Sequence, residues 1–260
     1  MIGKRDYKIE EILQNAIDEG HRVFAIGDVH GHFEMLLDLV ADLELTEYDH
    51  VVLLGDLVDR GPQSREVIDW AMKNSNVHAI KGNHEAAMLK HCDPYRFDRP
   101  SLGMMSGWYY VGGKDTAESY MRFHMKEDTT TDMLSMKKEV GRHLAYLDSL
   151  PDHIVLDHWR LVHAGYDPIS EIPLDEQSTD VLHWIREPFI NGMRIIDPVR
   201  TVVFGHTPTF TQGDNKQGDL LLAPLCLDDG RPVSIGIDTC AYGGDDPQLC
   251  AIQLFDPHAE

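Results

Sequence analysis

Five short polar clusters stand where apolar runs stop: Gly27-Asp28-Val29-His30-Gly31, Gly55-Asp56-Leu57-Val58-Asp59-Arg60-Gly61, Gly82-Asn83-His84-Glu85, His163-Ala164-Gly165 and Gly205-His206-Thr207. A single Gly-Asp after a strand is an ordinary turn. Three in succession, with His or Arg at fixed offsets, ask for a chemical reason. Together the clusters supply Asp28, His30, Asp56, Asn83, His163 and His206, a set of hard oxygen and borderline nitrogen donors without a thiolate. Such donors suit Mn²⁺, Fe or Zn²⁺ and speak against a closed structural zinc site, which leans on Cys. Six donors fit two ions better than one, and Asp56, central in the series, can bridge through its two oxygens. Two metals about 3.5 to 4 Å apart form the clamp used for in-line displacement at phosphorus. The expected chemistry is hydrolysis of a phosphate ester.

The elements that must position these residues read as α/β. Strands are expected at VFAIGD (23–28), VVLLGD (51–56), VHAIKGN (77–83), LVHAG (161–165) and VVFGH (202–206), each a buried run with polar residues at its carboxyl end. HFEMLLDLVADLEL and SREVIDWAMKN between the first three have helical apolar stripes, which makes a βαβαβ beginning with parallel strands. Ligand sites in such sheets lie beyond the carboxyl ends of the strands, where the polar clusters gather. Residues 86–92 continue as helix. The Pro, Gly and aromatic stretch 93–115 reads as ordered loop in which Met104, Met105 and Trp108 pack. Residues 114–150 read as helical, broken around KEDTTTD (126–132), and two late strands are expected at 233–238 and 249–255. With no repeat or linker, residues 1–260 are expected to form one domain.

Composition narrows the partners. Against 23 Lys and Arg stand 44 Asp and Glu, a formal charge of −21 that argues against nucleic acid or an anionic membrane surface. No window approaches 18 uninterrupted apolar residues, and MIGKRDYKIEEILQNAIDEG lacks the apolar core of a signal peptide, so a cytoplasmic location is expected. Cys92, Cys226, Cys240 and Cys250 show no CxxC pair and are expected as thiols. Histidines outside the clusters read as surface or packing residues, and Trp159 and Trp184 as core.

The ordered motifs Asp-x-His-Gly, Gly-Asp-x-x-Asp-Arg-Gly, Gly-Asn-His-Glu, His-Ala-Gly and Gly-His-Thr resemble the phosphoprotein phosphatase family of calcineurin-like metallophosphoesterases, most nearly its small bacterial and phage-type Ser/Thr phosphatases, from about residue 22 to 244. The resemblance implies a mixed β-sandwich flanked by helices and two divalent metals, Mn²⁺ first among them. It implies that Asp28, His30 and Asp56 hold one ion and that Asp56, Asn83, His163 and His206 hold the other. It also implies that His84, oriented by Asp59, is the general acid, and that Arg60 and Arg186 bind phosphoryl oxygens. Two stretches depart from the family pattern. Cys240 in Ile237-Asp238-Thr239-Cys240 stands where Gly is usual, and the segment with Gly112-Gly113 and Thr116 lacks the Asn that precedes the two glycines in phage-type enzymes.

On this reading a hydroxide bridging the two metals attacks phosphorus directly, without a Ser or Cys nucleophile. With both metals, two carboxylates, the hydroxide and two arginines, the pocket carries about +3, enough to draw in a phosphoserine of about −1.5 to −2 despite the acidic whole. The expected function is a Ser/Thr protein phosphatase. One alternative is a bis(5'-nucleosyl)-tetraphosphatase of the same fold, whose bacterial members typically carry Ala where Asp59 stands. Another is a noncatalytic phosphate-binding module.

Overall fold

Two sheets divide the strands. In the computed structural model, which describes residues 1–92, 107–124 and 133–259, β1 (Val23–Ile26), β2 (His50–Leu53) and β3 (Val77–Ala79) run parallel. The last strand, β9 (Ala251–Leu254), pairs antiparallel with β1, giving the order β3-β2-β1-β9. The second sheet has the order β4-β5-β6-β8-β7, from β4 (His153–Val155), β5 (Trp159–Val162), β6 (Thr201–Phe204), β8 (Ser234–Gly236) and β7 (Leu221–Leu222). Its three central strands are parallel and its two edges antiparallel. The mixed sandwich is as expected, with β4 and β7 added. Those two are three and two residues long, too short to show a period.

Alternation along each strand sorts side chains between layers. Val23, Ala25, Val52 and Leu54 face Leu161, Val203 and Ile237 of the second sheet, in an inter-sheet core that also takes in Leu13, Ala16 and Ile17 of α1 (Tyr7–Asp18). Ile26, Val51, Leu53, Val77 and Ala79 face the other way, onto α2 (Phe33–Asp42), α3 (Ser64–Lys73), α4 (Asn83–His91), α5 (Gly113–His124) and α6 (Met133–Ser149). On the far side, Val162, Val202 and Phe204 pack with Tyr166, Leu182 of α7 (Thr179–Trp184) and Phe189. The predicted helical region 114–150 is thus α5 and α6. The predicted break and Met104 and Met105 lie outside the described residues.

The helix after β3 begins three residues earlier than predicted, at Asn83, so Asn83 and His84 occupy its first turn. Trp159 is core, whereas Trp184 is 55 % exposed, a correction to the sequence expectation. Its ring stands edge-on to His206 at 6.1 Å between centroids, at the mouth of the site instead of within a layer. A large aromatic in a helical stripe does not reveal whether anything covers it.

Candidate dimetal active site

All five clusters converge beyond the carboxyl ends of β1, β2, β3, β5 and β6. Six of the seven non-glycine residues with positive φ among the described residues lie here: His30, Asp56, Asp59, Arg60, His206 and Cys240. Left-handed backbone at such residues costs of order 1 to 3 kcal/mol each and persists only where the surroundings over-determine it. For Asp56 the surroundings are visible. Glu85, third residue of α4, accepts the N–H of Asp56 (2.8 Å), Leu57 (2.8 Å) and Val58 (3.3 Å), and of Gly82 (2.9 Å). Gly205 serves a close approach, because a Cβ there would lie 2.0 Å from Asp28 Oδ1.

The histidines are oriented from behind. His30 Nδ1 donates to Val58 O at 2.8 Å and His163 Nδ1 to Leu54 O at 2.8 Å, which leaves each Nε2 lone pair facing inward. The His163 lone pair meets only acceptors, and the His30 lone pair meets a carboxylate and the Arg60 guanidinium. His163 Nε2 lies 3.4 Å from Asp56 Oδ1 and 2.8 Å from Asn83 Oδ1, and His30 Nε2 lies 3.4 Å from Asp56 Oδ2. The two oxygens of Asp56 therefore look toward two separate groups, His30 with His84 and His163 with His206, each compact enough to hold an ion. His206 Nδ1 is 3.0 Å from Asn83 Oδ1, and the His206 backbone N–H donates to both oxygens of Asp28 at 3.1 Å.

Electrostatics favour the same conclusion. Burial pushes His30, His163 and His206 below the ordinary imidazole range, which favours the neutral form that ligates. Burial raises Asp28 well above the carboxylate range, aided by the charges of Asp238 and Asp56, and burial with Asp56 pushes Asp238 up to about 7. Asp56 goes the other way, because the surrounding histidines outweigh its own burial. His206 Nε2 and Asp238 Oδ2 are buried without a hydrogen-bond partner. Converging lone pairs, crowded carboxylates and orphaned acceptors are what a cation would satisfy, so the residues present fit a pair of divalent metals.

Beside this basket, His84 Nδ1 contacts Asp59 Oδ2 at 2.7 Å. Burial works to lower the His84 pKa, but Asp56 and Asp59 outweigh it and hold it above the usual imidazole value. Asp59 is fully buried and also accepts Trp108 Nε1 (2.8 Å to Oδ2) and Thr116 Oγ1 (2.7 Å to Oδ1). Arg60 donates to His30 Nε2 at 2.7 Å and lies 3.1 Å from His84 Nε2, and its guanidinium lies over the Tyr242 ring at 4.1 Å. Arg186, carried beyond α7, donates to His206 O (3.2 Å) and Thr207 Oγ1 (2.7 Å), so it too reaches the rim. The candidate residues thus lie at one end of the sheets, with Asp28 held by the His206 N–H and standing outside both compact groups. The structure adds Glu85, Asp238, Tyr242, Trp108 and Thr116, to which sequence reasoning assigned no role in the site, Trp108 being read as loop packing. Glu85 and Asp238 had a signal, each sitting inside a quoted motif. Cys240, at φ +68°, follows the left-handed path a glycine would take, so the loop keeps its course.

Fold and site together define a metallophosphoesterase. The chain belongs to the calcineurin-like phosphoesterase family, whose model matches residues 21–244. Over 205 residues it is 34 % identical to Serine/threonine-protein phosphatase 1 of Salmonella typhimurium, covering 76 % of this chain and 85 % of that protein. It is 39 % identical over 69 residues to the symmetrical Bis(5'-nucleosyl)-tetraphosphatase of Chromobacterium violaceum, covering 26 % of this chain and 25 % of that one. A crystal structure of a metallophosphoesterase from Sphaerobacter thermophilus shares the fold, with a TM-score of 0.54 at 19 % identity, covering 89 % of this chain and 83 % of that one. Phosphoester hydrolysis with divalent metals is the chemistry of this class. Among the described residues no helix is long and apolar enough to cross a membrane.

Proposed function

We propose that the chain hydrolyses phosphoserine and phosphothreonine in proteins. Asp28, His30 and Asp56 would hold one divalent metal and Asp56, Asn83, His163 and His206 a second, Mn²⁺ being favoured by the hard oxygen and neutral imidazole donors, with Fe or Zn²⁺ admitted by the same set. When bound, such a pair supplies Lewis acidity and a water of lowered pKa. Arg60, beside His30 and His84, and Arg186, beside His206, take phosphoryl oxygens with the planar forks that suit them. His84 then protonates the departing oxygen, and Asp59 holds its tautomer and orientation.

The observation that carries this reading is the 2.7 Å contact between His84 Nδ1 and buried Asp59. A serine or threonine alkoxide is a poor leaving group and needs a positioned acid, worth roughly 10² to 10⁴ in rate. A departing nucleotide phosphate needs one far less. The 34 % identity to a protein named as a Ser/Thr phosphatase supports the same choice. The shorter match to a tetraphosphatase favours the alternative, dinucleoside polyphosphate hydrolysis. Parallel turnover of a phosphoserine peptide and diadenosine tetraphosphate with Mn²⁺ decides between them, and exclusive use of the second overturns the proposal. His84→Asn is expected to retain two metals per chain by elemental analysis and to lose at least about 100-fold in kcat on the peptide. Full activity in that variant removes the acid from the scheme. A cytoplasmic location belongs to this reading and is checked by fractionation.

A further inference from the structure

Asp59 stands at the end of β2's loop, but the groups that fix its carboxylate come from elsewhere in the chain. Trp108 opens a 3-10 turn at Trp108–Val111, and Thr116 lies in the first turn of α5. The indole N–H reaches Oδ1 at 3.0 Å and Oδ2 at 2.8 Å, and the Thr116 hydroxyl reaches Oδ1 at 2.7 Å while lying 3.0 Å from Ser64 Oγ. The Asp59 backbone N–H is met by the same Thr116 oxygen at 2.9 Å and by Ser64 Oγ at 3.0 Å. Trp108 is 2 % exposed and Thr116 fully buried.

The chain spends local freedom to keep the indole there. A Cβ on Gly113 would lie 2.4 Å from Trp108 Cε2, so only glycine lets the start of α5 lie flat against the ring, and Arg60 N donates to Gly112 O at 3.2 Å. Neither Trp108 nor Thr116 touches the metal-ligand groups. Both end on the one carboxylate that faces the proton donor.

We propose that Trp108 and Thr116 are positioning residues for the His84 acid: together they fix the rotamer of Asp59, and through it the imidazole, so that the segment 107–116 controls turnover of substrates with poor leaving groups and matters little for good ones. The proposal rests on His84 acting as the acid. Three donors, His84, Trp108 and Thr116, leave the carboxylate one arrangement. Without the indole N–H or the hydroxyl, Asp59 is free to turn about χ1 and χ2, and the His84 ring loses its fixed line to the leaving oxygen. An error of that kind costs rate in proportion to the need for a proton. p-Nitrophenolate leaves readily without one, while phenolate and the serine alkoxide do not.

The test uses the full chain loaded with Mn²⁺ and compares Trp108→Phe, Thr116→Val, Thr116→Ser and His84→Asn on p-nitrophenyl phosphate, phenyl phosphate and a phosphoserine peptide. Metal content and thermal unfolding are measured on each. Trp108→Phe and Thr116→Val are expected to lose about 10-fold or more in kcat on the peptide and on phenyl phosphate, but less than about 3-fold on p-nitrophenyl phosphate, with KM little changed. Thr116→Ser, which keeps the hydroxyl, is expected to restore most of what Thr116→Val loses. Equal losses on all three substrates, or wild-type rates in both Trp108→Phe and Thr116→Val, overturn the proposal. A loss in His84→Asn that is independent of the leaving group overturns the acid assignment itself. A dependent loss there beside uniform losses at Trp108 and Thr116 overturns this proposal alone.

Discussion

Glu85 Oε2 accepts the backbone N–H of Asp56 at 2.8 Å, so the residue expected to bridge the metals is held in a left-handed conformation by a buried carboxylate that does not itself face them. The same carboxylate takes three more backbone N–H groups, and burial together with the Asp56 charge pushes its pKa up to about 7. Glu85→Gln puts an NH₂ against N–H donors. It is expected to cost about 1 to 3 kcal/mol of stability, the usual penalty for a buried polar group left without its partner. It is also expected to weaken Mn²⁺ binding. Urea unfolding with and without Mn²⁺ and calorimetric titration of the metal measure both, and an unchanged metal affinity contradicts the bracing role.

Tyr242 shapes the phosphate end of the site. Its ring lies under the Arg60 guanidinium at 4.1 Å and edge-on to His30 at 4.6 Å, which limits the directions in which Arg60 can point. A cation–π contact of this kind is worth about 0.5 to 2 kcal/mol. Tyr242→Leu is therefore expected to raise the inhibition constant of inorganic phosphate by roughly 2-fold to 30-fold, with a smaller effect on kcat. Unaltered phosphate inhibition rules the contact out as a determinant of binding.

Away from the site, Glu139 ties α6 to α3 and α5. Its carboxylate accepts Arg65 through both oxygens, at 2.7 and 3.0 Å, and meets His124 Nε2 at 2.7 Å. Burial alone would raise its pKa, but Arg65 and His124 outweigh burial and hold it down to about 2. Because the folded value lies below the ordinary 4.5, the contribution to stability is complete above pH 4.5 and is lost as the pH falls through about 2. Glu139→Gln is expected to be less stable than wild type by about 1 to 2 kcal/mol at neutral pH, with the gap closing on acidification below 4.5. Denaturant unfolding of both proteins at several pH values reads this directly; a gap that does not narrow contradicts it.

Net charge acts on encounter. With −21 on the chain, an acidic phosphopeptide is repelled before it reaches the basket. Moderate salt screens that repulsion over about 10 Å at 0.1 M, so kcat/KM for acidic phosphopeptides is expected to rise with ionic strength before screening weakens binding in the pocket itself. Stopped-flow or steady-state assays across a salt series test this, and a monotonic fall from the lowest salt contradicts it.

The sequence by itself determined which residues are candidates for the ligand set, because phosphoester chemistry at metals tolerates few residue types. Asp28, His30, Asp56, Asn83, His163 and His206 each stand at a strand's carboxyl end beside glycine or small residues, and strand ends are readable from apolar runs that stop. Local signals likewise placed β1 to β3 and the helices between them. Tertiary structure decided everything that depends on contacts between distant segments. It brought Trp108 and Thr116 across about 50 residues onto Asp59, and left Trp184 uncovered at the mouth. It also set β9 antiparallel beside β1 and pointed the two Asp56 oxygens at two separate groups. Residue type and spacing state which atoms can bind or donate, whereas orientation and burial are properties of packed surfaces to which the whole chain contributes.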